Sequence, residues 1–254
     1  MVSVVVFEFS GMRCQPLRRA LGIYCLLIEI LIMVECEVFP KLEKKICELD
    51  DDELYSRLDE LKLGDKRKSI LFNVLRGKVP LGFHQKLDIY LYVIKNIFPS
   101  DFDDYKINSH SYSKGRIEYD PAKNGQNLIK HGLSFNEVVS YSGESFGVLN
   151  VRCPADEGKR IIMFSRLELL ENDYKLDLPL NDSINNDISY VISVVQSTDS
   201  GFRFISSRCM SSKKYKKTLN NALKNIFVDD SLAKSKLVEE CLEILEKYLF
   251  PTNA

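Results

Sequence analysis

The sequence predicts an α+β protein in which a helical N-terminal segment precedes a sheet-bearing domain. Three observations predict this. Between Phe39 and Phe98 apolar residues recur at helical spacing, with Leu42, Ile46 and Leu49 leading into Leu54, Leu58 and Leu61. The runs 146–151, 159–166, 188–196 and 202–207 are short and rich in β-branched and aromatic residues, as strands are. Helical spacing then returns over 211–227 and 230–249. With 254 residues the chain has room for one large domain or two small ones. The division read here is a helical domain over 1–108, a sheet domain over 116–227 with an insertion at 167–187, and a C-terminal helix over 228–254.

The first 35 residues differ from the rest. They hold arginine but no lysine, and the first lysine of the chain is Lys41. The apolar run from Ala20 to Val34 follows Arg13, Arg18 and Arg19, as in a signal or anchor segment. It is shorter than the roughly 20 residues of a spanning helix. It also contains Glu29, and a carboxylate inside a bilayer costs about 3 kcal/mol. The expectation is a packed amphipathic helix, or a start at Met33, and no membrane anchorage.

The helical domain has clear punctuation. Gly64-Asp65 breaks the first apolar stripe, and Ser69 to Arg76 reads as a short helix ended by Gly77. The next helix opens at Pro80, carries Leu87, Tyr90, Leu91, Ile94, Ile97 and Phe98, and stops at Pro99. The start of the helical domain is acidic: Glu43 to Glu60 holds eight carboxylates against Lys44, Lys45 and Arg57. The polar stretch from Ser100 to Gly115 reads as a linker.

After it, Ile117 and Tyr119 open a strand, and Asp120-Pro121 turns into a helix that stops at His131-Gly132. Ser134 and Glu137 then have the spacing of a capping box for a second helix. The polar 167–187 segment is too long for a hairpin loop, so it reads as an excursion between two paired antiparallel strands, 161–164 and 190–195.

Composition narrows the chemistry. Basic and acidic residues nearly balance, 35 against 36, so only local charge can indicate a partner. The seven cysteines make no CxxC pair, which predicts reduced thiols in a cytoplasmic protein. There is no zinc-ligand spacing, no Gly-rich phosphate loop and no GxSxG, so neither a metal nor an organic cofactor is expected. One segment is strongly polarised. Gly201 to Val228 contains Arg203, Arg208, Lys213, Lys214, Lys216, Lys217 and Lys224 and no acid, a pattern suited to a phosphate backbone or to a solvated helix face. Tyr215 among those lysines reads as a ring able to stack on an unpaired base.

Two separated motifs resemble the BrnT family of type II toxin–antitoxin ribonucleases over residues 116 to about 218. The first is Glu118, Tyr119, Asp120, Lys123, Asn127, Lys130, His131, Gly132, Leu133 and Phe135, with Tyr119 where tryptophan is usual. The second is Arg203, Phe204, Ile205, Ser206, Ser207 and Arg208. Between them Lys159-Arg160-Ile161-Ile162 matches the basic entry to a strand. The sequence departs from the pattern at Ser165, where glycine is usual, and at Lys214 and Thr218, where an acid and a tyrosine are common.

The resemblance implies a RelE-like fold, a curved antiparallel sheet with helices on one side and an RNA groove on the other. It further implies a metal-independent endoribonuclease with RNA and a cognate antitoxin as partners. Carried onto this chain, the catalytic residues would be His131, Arg208, Arg203 and Lys130, with Arg160 as an RNA-binding residue; the charge pattern, independently of the resemblance, adds Lys213, Lys214, Tyr215, Lys216 and Lys217 as RNA-binding residues. Such cleavage needs a base for the 2′-OH and cations for the developing phosphate charge. His131 serves equally well as the basic end of a helix capped by Gly132. Arg203 could pair with Glu118 on a neighbouring strand, while Cys209 and Met210 read as packing. Residues five apart face opposite sides of a strand, so Arg208 can join Arg203 only beyond the strand's end or past a bulge; the end is expected. A non-catalytic BrnT-like module binding RNA or protein is the second reading, favoured by Lys214. A contact between the acidic helix at Asp50–Asp52 and the basic segment would restrain the latter.

Overall fold

The computed structural model describes residues 38–105, 117–143, 146–153, 160–167, 189–199, 201–224, 231–244 and 247. The apolar run at 20–34, the Met33 start, the linker from 106 onward and the interior of the 167–187 segment lie outside the described residues; the start of the linker forms a short 3-10 turn at Phe102–Tyr105. The chain forms two compact units. One gathers the helices of 38–105 together with Asp120–Lys130; the other gathers 117–119 with the residues from His131 onward. Asp120–Lys130, which the sequence reading assigns to the sheet domain, thus has its contacts among the N-terminal helices.

In the helical unit α1 covers residues 38–47, α2 Asp51–Arg57, α3 Asp65–Leu75, α4 Phe83–Ile97 and α5 Pro121–His131. Gly64 is the N-cap of α3, so the glycine that interrupts the apolar stripe starts a helix four residues before the expected Ser69. Leu42, Ile46, Leu54, Leu58, Leu71, Leu87 and Ile94 are buried in this unit. Part of the acid run is engaged within the unit. Asp50 caps α2 by accepting from the Glu53 N–H, Asp51 pairs with Arg76 at 2.7 Å, and Asp59 pairs with Lys68 at 2.6 Å. Asp120 caps α5 by accepting from the Lys123 N–H, and Pro121 occupies the first helical position, where a missing N–H costs nothing.

The sheet unit is built on β1 Ile117–Tyr119, β2 Leu149–Arg152, β3 Arg160–Leu167, β4 Ser189–Ser197 and β5 Phe202–Met210, in the order β1-β5-β4-β3-β2. β3 and β4 pair antiparallel from Arg160 opposite Gln196 to Leu167 opposite Ser189. The long polar segment is therefore an excursion between adjacent strands, as expected. The sheet itself corrects one expectation: it is mixed, because β1 joins β5 in parallel. No hairpin links these two strands; more than 80 residues separate them, so turn geometry does not impose an antiparallel pairing.

A second correction concerns the layers. Opposed residues on neighbouring strands point to the same face, so the register sorts every side chain. Phe204 lies on one face, where Phe135 of α6 (Phe135–Ser142) packs against it at 5.2 Å between ring centroids. Ile162, Phe164 and Ile192 lie on the other face. There they join Tyr215, Leu219 and Ala222 of α7 (Ser212–Lys224) and Cys241 of α8 (Ser231–Ile244) in one core. Helices thus cover parts of both faces, not one.

The turn between α5 and α6 follows the sequence closely. Gly132 has φ 72°, the left-handed value for which glycine carries no steric penalty. Ser134 and Glu137 make both bonds of the capping box. Ser134→Ala is expected to cost about 1 kcal/mol. The measurement is the urea midpoint at unchanged m-value, and an unmoved midpoint would show that the box contributes nothing.

Candidate nucleic-acid interface

The basic residues of the sheet converge because of one irregularity. Val194 stands opposite Ser206 and Val195 opposite Phe204, so Ile205 is an extra residue in β5. This β-bulge reverses the alternation after it. Arg203 faces Gln196 and Arg208 faces Ile192, two β4 residues of the same parity, so both arginines share one face. From the sequence, β5 is expected to end before Arg208. Instead it continues to Met210, and the bulge supplies the change of face.

Arg160 completes the array. It lies opposite Gln196, which lies opposite Arg203, which lies opposite Glu118, forming one row across four strands. Neighbouring strands are about 4.8 Å apart, so Arg160 and Arg203 stand roughly 10 Å apart across Gln196. Arg203 and Arg208 are separated by four residues of β4, or about 13 Å at 3.3 Å per residue. Such spacings place cations along a chain of phosphates instead of gathering them on one.

Arg203 donates to the Glu118 carboxylate at 3.1 Å, the strand-to-strand pair considered above. With the arginine 40% exposed, the pair contributes no more than about 1 kcal/mol and leaves the cation accessible. Arg208 and Arg160 are exposed.

The other expected catalytic residues are placed differently. His131 is half-buried at the end of α5 and leads through Gly132 into α6, the helix on the face opposite the arginines. Lys130 belongs to the helical unit. Within the first motif, Leu133 and Phe135 are core residues, Asn127 is buried and Asp120 is a helix cap. These contacts account for much of that motif by folding alone.

Helix α7 packs on the arginine-bearing face. Tyr215, Leu219 and Ala222 form its buried stripe at helical spacing. Burial overturns the base-stacking role read for Tyr215. Its ring packs edge-on to Phe164 at 5.0 Å and lies 5.3 Å from Tyr190, and its hydroxyl donates to the Ser165 carbonyl. Desolvation, followed by the neighbouring Tyr190, drives its pKa well above the ordinary phenol value.

The Ser165 hydroxyl, where glycine is usual in the BrnT pattern, accepts from the Gly147 N–H at 2.9 Å. Lys213, Lys214 and Lys217 are exposed on the outer side of α7. Lys213, Lys216 and Lys217 also line a groove with Asn220, Asn221 and Val238. The two asparagines and Gln196 escaped the sequence reading. Asn220 follows Lys213 and Lys216 by seven and four residues, so a helical wheel would have found it.

Comparison with protein-family models, curated proteins and solved structures finds no match to this chain. Among the described residues no helix is long and apolar enough to cross a membrane. Among them, too, no group of three histidine, cysteine, aspartate or glutamate side chains is gathered to hold a metal ion.

Proposed function

We propose that the sheet unit is a cytoplasmic RNA-binding module of BrnT-like form, holding the sugar–phosphate backbone on its arginine-bearing face. The observation that carries this reading is the bulge at Ile205, which brings Arg208 to the face of Arg203 and Arg160. Arginine's planar fork suits phosphate oxygens, and cations about 10 and 13 Å apart can meet separate, non-adjacent phosphates of one strand. Binding is favoured over cleavage on chemical grounds. A base must accept the 2′-OH proton, and arginine remains protonated at any pH the protein survives.

Anisotropy of a fluorescent, unstructured 12-nucleotide RNA with the full chain tests the reading. Affinity should fall linearly with salt on logarithmic axes. Arg208→Ala and Arg160→Ala should each weaken binding uniformly across RNA sequences and flatten the slope by about 0.7. An unchanged slope in the double variant would remove the arginine face as the RNA site.

Endoribonuclease activity is the second reading, favoured by the presence on one face of two arginines able to meet developing phosphate charge. It predicts metal-independent cleavage in the presence of chelator. With His131 at the helix end that leads to the opposite face, the role falls to the arginines, and full cleavage by an Arg203→Ala, Arg208→Ala double variant would eliminate them as its machinery.

A further inference from the structure

The groove between α7 and α8 has a composition that the arginine face lacks. Lys213, Lys216, Lys217 and Asn220 recur at the i, i+3, i+4, i+7 spacing of one helical face, and Asn221 adjoins them. Over seven residues the lysines and Asn220 span about 10 Å of helix axis. Across the groove stands Val238 of α8, a helix held to the sheet unit by the buried Cys241 and by Leu237 and Leu242. Burial pushes the Cys241 thiol up to about 11, as expected for a side chain committed to packing. The groove is open to solvent and has a volume of about 600 Å³. That lies within the range of sites holding molecules of a few hundred daltons.

Three kinds of contact are thus available side by side. The lysines offer ammonium groups to phosphates. The two carboxamides each offer a donor and an acceptor, which matches a ribose 2′-OH or a base edge. Val238 offers an apolar wall. A duplex keeps its base edges paired, whereas an unpaired strand can present ribose and base edges to the two carboxamides.

We infer that the α7–α8 groove is a subsite for single-stranded RNA, with Lys213, Lys216 and Lys217 holding phosphates and Asn220 and Asn221 contacting ribose or base edges. The inference rests on the RNA-binding reading above and extends it to a second surface of the same unit. An acidic polypeptide is the competing occupant. It would use the lysines but would have no need of a contact that distinguishes ribose from deoxyribose.

The test uses the full chain and a labelled 12-nucleotide oligouridylate, its deoxy counterpart, an RNA duplex competitor and polyglutamate. Lys213→Gln with Lys217→Gln should flatten the salt slope by about 1.4, two phosphates at about 0.7 each, for the ribo- and deoxy-oligomers alike. Asn220→Ala with Asn221→Ala should leave the slope unchanged and reduce the preference for ribose. The duplex should displace the single strand poorly.

An unchanged slope in the lysine variant, with Arg208→Ala still weakening binding, would overturn the groove and leave the RNA-binding reading intact. Equal displacement by duplex, or an unchanged ribose preference in the asparagine variant, would overturn the single-strand assignment. No RNA binding by the wild type, with lysine-dependent binding of polyglutamate, would overturn both readings.

Discussion

Tyr215→Ala is expected to destabilise the sheet unit by about 3–5 kcal/mol, the cost of removing a large aromatic side chain from a closed core. Tyr215 is 0% exposed and fills the space between α7 and the Phe164–Tyr190 part of the sheet. Its removal opens a cavity that rigid strands cannot collapse, and it deletes the donor to the Ser165 carbonyl. Tyr215→Phe keeps the ring and loses the hydroxyl, so about 1 kcal/mol is expected.

The pair of variants also separates packing from recognition. Phenylalanine at 215 should leave RNA affinity unchanged if the ring is structural. A loss of affinity at preserved stability would restore the residue to the interface.

Alkaline titration gives an independent reading of the same group. The folded pKa of Tyr215 is raised, so its contribution to stability is complete below the unfolded value near 10. That contribution is lost as pH rises from there toward the folded value. Phenolate absorbance should show a tyrosine class that ionises only with unfolding, and Tyr215→Phe should reduce that class by one. An unshifted titration of all tyrosines would contradict the burial. In the helical unit, burial likewise raises Tyr90 and pushes Tyr92 up to about 12, so these two contribute to the same class.

Gly125→Val is expected to disrupt the helical unit by more than about 3 kcal/mol, beyond the ordinary range for overpacking. A Cβ at Gly125 would fall well inside 3.0 Å of the Asp88 carbonyl oxygen and within 2.7 Å of the Ile89 nitrogen. Both are backbone atoms in the middle of α4, so no side chain can swing aside. The neighbouring Asn124 donates its amide to the buried Asp88 carboxylate at 2.7 Å, and parting the two helices would break that bond too.

Gly64→Ser provides the contrast. Gly64 is a helix N-cap with nothing within 4 Å of its Cβ position, so serine should be neutral or stabilising by a few tenths of a kcal/mol. Hydrogen exchange locates the damage. In Gly125→Val, protection should fall in Phe83–Ile97 and Pro121–His131. Retained protection there would show that α4 and α5 do not approach at Gly125.

Much of the fold was legible in the residues. Pro99 and Gly77 end helices, Asp120-Pro121 starts one, and Ser134 with Glu137 builds a capping box. All of these act within one turn of chain, where sequence and structure are nearly the same information. The boundaries of β3 and β4 were legible to within a residue, as was the excursion between them, because a polar stretch of that length cannot be a hairpin turn; β2 begins, and β5 ends, three residues later than the runs suggest.

Partnership was not legible. Asn124 and Gly125 sit in a motif shared with the strand before them, yet their contacts are with α4, more than 30 residues earlier. Tyr215 looks solvated because its sequence neighbours are lysines. A helix sets adjacent residues about 100° apart, so a buried tyrosine and exposed lysines coexist there.

The sequence by itself determined the order of elements, the ends that Gly, Pro and capping residues mark, and the concentration of positive charge after Gly201. Tertiary structure alone decided which cations act together. A single additional residue, Ile205, changes the parity of β5, and with it the face on which Arg208 stands. Nothing in the composition of Phe204–Ser207 marks that bulge. It is a property of pairing with β4, where two residues must oppose one, and pairing is settled only when the strands meet.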